Sequence, residues 1–233
     1  MEKGRTVRLS VAVIITVLAV FISSSVVYFM QQQSFQSSIQ GLKAQNEQLT
    51  LEVNSLKKDS SGLNNERRVV IQEKADRILL AMKNKDMNAL SSFVHPQKGL
   101  RFSPYTNINT STDLIFPVAS ISNLLSNNTI YNWGKYDGSG NPIDLIFNDY
   151  YAKFIYDKDF LAAPQISFNE VLQRGNMINN IATVYPQGVT IEYHFPGFEE
   201  QYKGMDWESL KLVLEQSGTD WYLVGIIHEQ WTI

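Results

Sequence analysis

Histidine and carboxylate carry whatever reactivity this chain has, because its 233 residues include no cysteine. That removes disulfides, thiolate ligands and thiol nucleophiles together. The three histidines are His95, His194 and His228. His194 and His228 fall in or at the ends of predicted strands of the C-terminal third, with Glu192, Asp206 and Glu229 near them in sequence. Two imidazoles and a carboxylate brought together by a curling sheet would make a zinc or iron shell, or an acid–base pair. Two features argue against it. No H-E-x-x-H spacing occurs, and strand alternation sends His228 and Glu229 to opposite faces. His194, His228, Asp206 and Glu229 therefore stand as weak catalytic candidates, with no metal-ligand set and no cofactor assigned.

Other chemistries find less support. Asp137, Ser139 and Asn141 imitate the first ligands of a calcium loop, but Pro142 and Asn148 occupy the positions that need Gly and Glu. The segment reads as a glycine-rich turn. No G-x-S-x-G or phosphate-binding glycine loop is present. Aromatic residues are the stronger signal. Tyr193, Phe195, Phe198, Tyr202, Trp207 and Trp231 lie in or beside a Gly- and Pro-punctuated loop at a strand end, and are expected to line a ligand cleft or partner surface.

These residues need a scaffold, and the chain supplies three predicted parts. Leu9–Met30 is free of charge over 22 residues, about 33 Å of helix against a hydrocarbon core of about 30 Å. Lys3, Arg5 and Arg8 precede it and no Lys or Arg follows until Lys43. The positive-inside rule then predicts a cytoplasmic tail over residues 1–8 and an uncleaved signal-anchor over 9–30. Residues 31–65 are polar but periodic. Phe35, Leu42, Leu49, Leu56 and Leu63 fit heptad position d, while Ile39, Asn46, Val53 and Ser60 fit position a. Leu at d, with Ile or Val at a and one polar Asn, predicts a two-stranded coiled coil. A homodimer through residues 35–63 is expected.

Residues 66–233 form the third part. Val70, Ala75, Ile78, Leu79 and Met82 make one apolar helix face. Asp86 is placed to cap a short helix ending at Phe93. The period then changes to two, with strands expected near 100–105, 130–136, 165–173, 189–195, 208–216 and 221–227, and an aromatic helix over 147–156. Helices followed by strands predict an α+β domain. From Glu66 onward 14 Lys and Arg face 19 Asp and Glu, a balance that disfavours nucleic acid.

HPQKGLRFSPY, YNWGKYDGSGNPIDLIFNDYYAKFIYDKDFLAAPQI and EYHFPGFEEQYKGMDWESLKLVLEQSGTDWYLVGIIHEQWTI together resemble an exported, membrane-anchored domain of Gram-positive, spore-forming bacteria of the NTF2-like (cystatin-related) type. The resemblance covers about Val70–Ile233. It implies a long helix packed on a curved antiparallel sheet and carries over no catalytic residue. The resulting expectation is a single-pass protein of the cell membrane, with its C-terminal domain extracellular on a dimeric stalk. That domain would bind an envelope protein or cell-wall component without catalysis. The alternatives are an envelope or septum scaffold acting through the coiled coil, and an NTF2-like hydrolase or isomerase using His194 and His228 with a carboxylate.

Overall fold

A single helix, α1 (Lys3–Lys83), opens the chain and runs for 81 residues. The computed structural model describes residues 3–173 and 175–232, with side chains at 17, 18, 20–54, 64–173 and 175–232. The chain divides into two units, Met1–Asn65 and Glu66–Ile233.

In the first unit α1 is the only described element. Among the described residues no helix is long and apolar enough to cross a membrane, which corrects the expected anchor over Leu9–Met30. Ser23, Ser24 and Ser25 interrupt it and turn their hydroxyls onto the carbonyls of Val20 and Phe21. Residues 1–16 and Ala19, with the basic tail that set the expected direction, lie outside the residues whose side chains are described. Further along α1, Phe35, Leu42, Leu49 and Val53 are exposed, as is Asn46, while Ile39 is partly covered. Leu56, Ser60 and Leu63 lie outside the described side chains.

In the second unit the end of α1 buries Ile71, Ala75, Ile78, Leu79 and Met82, one face at helical spacing. Val70 is exposed, so the face begins one residue later than expected. Left-handed Lys85 ends the helix, with Asp86 N–H donating to Ala81 O and Lys85 N–H to Met82 O. Asp86 then caps α2 (Met87–Phe93) by accepting from the Ala89 N–H at 2.9 Å.

Six strands make the main sheet, in the order β2-β1-β8-β7-β6-β5. They are β1 (Leu100–Ser103), β2 (Ile115–Phe116), β5 (Gln165–Phe168), β6 (Val189–Phe195), β7 (Glu208–Ser217) and β8 (Asp220–Gln230). The β7–β8 turn uses Gly218 at φ +64, where a side chain would be strained. β1 lies parallel to β8, and all other pairs are antiparallel. The sheet is therefore mixed, which corrects the expected antiparallel NTF2-like cone. A parallel neighbour requires a crossover rather than a hairpin, and here nearly the whole domain intervenes between β1 and β8. A separate hairpin, β3 (Ile130–Lys135) and β4 (Pro142–Ile146), leads directly into α4 (Phe147–Phe154). Two short helices, α3 (Val118–Ile121) and α5 (Ile181–Val184), lie in connections.

Alternation splits the sheet's residues between two cores. Leu210, Leu212, Leu214 and Ile226 join the main core with the buried face of α1, while Val213 and Ile227 join a second core with Ile108 and Ile181. The main core is largely aromatic. Phe102 meets Phe116, Trp133, Phe147 and Tyr150 edge-on at 5.4 to 6.5 Å, and Trp133 stacks on Tyr150 at 3.8 Å. Phe102→Ala removes the ring shared by these contacts and is expected to cost about 3–5 kcal/mol, read as a fall in the urea midpoint. A loss below about 1 kcal/mol would mean that the site collapses around the deletion.

Candidate functional site

Register decides which polar side chains meet. Tyr193, Leu210 and His228 lie opposite one another across β6, β7 and β8, while His194, Ser209 and Glu229 form the next row. Neighbouring rows point to opposite faces. His194 and His228 are thus separated by the sheet, and the expected grouping of both with one carboxylate does not form. Each instead anchors a different polar cluster.

The His194 cluster lies on the face of the second core. Ser209 Oγ donates to Glu192 Oε1 at 2.7 Å and lies 2.8 Å from His194 Nδ1. Because that hydroxyl proton goes to the carboxylate, the imidazole Nδ1–H is the donor to Ser209. Lys211 Nζ lies 3.1 Å from Glu192 Oε1 and also pairs with Glu229 Oε2. Thr106 Oγ1 donates to Glu229 Oε1, and the Leu172 N–H donates to Glu192 Oε2, both at 3.2 Å. All four carboxylate oxygens therefore have a donor. Burial holds His194 below its ordinary value, with the Glu192 carboxylate opposing, which favours the neutral ring. Serine, histidine and acid meet here, but the acid bonds the serine rather than orienting the histidine, and Ser209 is fully buried. A nucleophilic triad needs the opposite connectivity and an accessible hydroxyl.

The His228 cluster lies on the main-core face. Leu210 and His228 are directly paired, so Glu208, two residues along β7, shares their face. The chain beyond α4 brings Asp157 in from the side. One ligand atom each from Asp157, Glu208 and His228 lies within 4.8 Å of the others. His228 is 0% exposed, with its ring edge-on to Phe154 at 5.7 Å. Its Nε2 lies 3.5 Å from Asp157 Oδ2, outside good hydrogen-bond geometry. Among the described residues Asp157 Oδ1, Glu208 Oε2 and both His228 nitrogens have no hydrogen-bond partner. The cation beside them is Lys158, 3.2 Å from Glu208 Oε1.

The two carboxyls diverge in proton affinity. Burial, followed by the neighbouring Asp157, pushes Glu208 from 4.5 up to about 8, with Lys158 opposing. Burial also raises Asp157, but the adjacent His228 and Glu208 outweigh it and leave the net below the ordinary range. At neutral pH the pair is one acid and one carboxylate.

The remaining expected residues separate into core and surface. Tyr193 is buried, donating to Asp76 Oδ1 at 2.9 Å and accepting from Gln72 Nε2. Trp207 is buried against His194. Phe195 is partly buried beside Phe160 and Phe198. Phe198, Tyr202 and Trp231 are exposed. Asp206 fixes the loop by accepting from the N–H groups of Phe198 and Glu199 at 3.0 and 2.7 Å. Glu229 is held in the Lys211 network. Sequence reasoning missed Asp157, Glu208 and Lys211. Glu208 carries a usable signal, because it shares the β7 parity of Leu210, Leu212 and Leu214, an acid at the end of an apolar row. Asp157 sits in a loop and carries none.

The contrast between the clusters can be measured on each. Lys211→Met strands two buried carboxylates, and is expected to cost about 3–5 kcal/mol in urea unfolding. A near-neutral result would show that Glu192 and Glu229 do not need the cation. A raised Glu208 holds a proton that the unfolded chain releases, so its contribution is intact below about pH 4.5 and lost as pH rises through about 8. Glu208→Gln is therefore expected to gain urea midpoint relative to wild type between about pH 5 and about pH 9. Parallel pH profiles would refute the shift.

No protein-family model matches the chain, and no curated protein matches it either.

Proposed function

We propose that this chain is a non-enzymatic interaction protein that pairs with a second copy through residues 35–63 and presents its 66–233 domain to a protein partner. The observation that carries this reading is the row Phe35, Leu42 and Leu49 on α1, each more than half exposed at 63%, 65% and 53%. Apolar side chains repeating every seven residues, with Val53 in register and Asn46 at a seam position, suit a parallel two-stranded partner. Four such side chains left in water would forfeit the hydrophobic gain that pairing returns, about 25 cal/mol per Å² covered.

For the domain, exposed aromatic side chains favour a protein partner. The Phe198, Tyr202 and Trp231 side chains supply amphipathic contact area of the kind that anchors interfaces. The loop carrying Phe198 and Tyr202 is already ordered by Asp206, which lowers the cost of binding. Neither buried histidine shares a cluster with the other, so the acid–base reading built on both gains nothing from the geometry.

Sedimentation equilibrium of the full-length chain tests the pairing. A dimer is expected, with Leu42→Ser and Leu49→Ser together shifting it to monomer while the far-ultraviolet spectrum of the domain persists. A wild-type monomer at concentrations of about 100 μM, where even weak coiled coils associate, would reject it.

A further inference from the structure

The two polar clusters differ in one respect that matters for ligands. Around Lys211 every carboxylate oxygen has a donor. Around His228, the buried Asp157 Oδ1, Glu208 Oε2 and both imidazole nitrogens have no partner among the described residues. Buried polar atoms without partners are rare in folded proteins, and a group of them marks a place where something else binds. We propose that Asp157, Glu208 and His228 form a binding site for one divalent transition-metal cation of the zinc type, independent of the pairing through residues 35–63.

The donor set is one imidazole nitrogen and two carboxylates, chemistry that suits zinc, cobalt, manganese or iron rather than the all-oxygen shells of calcium and magnesium. Distances agree. Two ligands of a tetrahedral zinc at its usual bond lengths stand roughly 3.3–3.4 Å apart. His228 Nε2 and Asp157 Oδ2 are 3.5 Å apart, too far for a good hydrogen bond and close to that edge. The third ligand atom, from Glu208, is within 4.8 Å, which a small side-chain rotation closes. Three protein ligands leave a fourth position open.

The setting also fits. β8 and the Phe154 ring hold the imidazole in an apolar wall, while the Asp157 and Glu208 side chains retain 15% exposure each and give a cation its way in. Lys158 lies 3.2 Å from Glu208 Oε1 with its side chain 36% exposed, so it can leave for solvent when a metal arrives. It occupies part of the space where a metal's positive charge would act.

The test uses the full chain, stripped with a chelator and returned to chelator-free buffer. Co²⁺ is titrated first, followed by its visible absorption, then Zn²⁺ by calorimetry. The expected result is one site per chain, with the intense bands of low-coordinate Co²⁺ quenched by Zn²⁺. Asp157→Asn and Glu208→Gln each weaken Zn²⁺ by about tenfold or more, as loss of a ligand should. Lys158→Met tightens it by about tenfold, because a competing cation is gone. That gain separates a metal site from a purely structural ion-pair cluster, for which Lys158→Met would bring no metal affinity. Absence of Co²⁺ bands and of saturable Zn²⁺ uptake in wild type, a measurement needing no variant, overturns the proposal. So does uptake that Asp157→Asn and Glu208→Gln leave unchanged while both keep the wild-type near-ultraviolet spectrum, since the metal would then sit elsewhere.

Discussion

A sheet covered on both faces has to satisfy its polar side chains from within. β6, β7 and β8 are in this position. Leu210, Leu212 and Leu214 look toward the main core, and between them Ser209, Lys211 and Val213 are equally buried on the other side. An isolated ammonium taken out of water is costly. Lys211 is tolerated because Glu192 and Glu229, on the two neighbouring strands, reach it from both sides. Their pairing requires the observed register, since a slip of one residue would send Lys211 into the aromatic core and a leucine onto two carboxylates. The ionic cluster thus specifies the alignment that the hydrophobic rows also need. The segments that cover it, carrying Thr106 and Leu172, are drawn in as donors and close the second core over the sheet.

On the opposite face the constraint is volume. The apolar face of α1 and the rings from β2, β3 and α4 pack on this side, with Phe102 of β1 in contact with four of those rings. The parallel β1–β8 pairing belongs to this arrangement, because it sets Phe102 beside Ile226 in the same core. A chain order that began and ended in neighbouring strands gives the sheet its mixed character, and makes the domain depend on contacts that are distant in sequence. At the end of this face, where Glu208 begins β7 and His228 nears the end of β8, charged side chains intrude.

What could be read from sequence follows the range of the interactions. The Asp86 cap, the α2 helix, the glycine turn before Asp220 and the strands of the C-terminal half depend on residues close in sequence, and their signals are local. The starting point of the buried α1 face depends on packing, and the choice between Val70 and Ile71 is not visible without the sheet. The pairing of β1 with β8 is a long-range event with no local mark. Lys211 illustrates the same limit. A lysine alternating with leucines reads as a solvent-facing position, and only the segments around Thr106 and Leu172 turn that face into an interior. The His194 and His228 grouping failed for a related reason. Both are strand residues of the correct type, but one register position separates a shared face from opposite faces.

This contrast gives a criterion for separating structural polarity from functional polarity in the domain. Both clusters are buried, acidic and histidine-containing, so composition and burial cannot distinguish them. Satisfaction can. In the Lys211 cluster the donors equal the needs of the carboxylates, and any ligand would have to displace an interaction already made. In the Asp157, Glu208 and His228 cluster, Asp157 Oδ1, Glu208 Oε2 and both imidazole nitrogens lack a partner among the described residues. Lys158 reaches only one oxygen, and from the solvent side. Two buried carboxyls beside an unpartnered imidazole offer a cation ligands that no other group has taken. The imbalance, more than the identity of the residues, is what sets this end of the sheet apart from the rest of the interior.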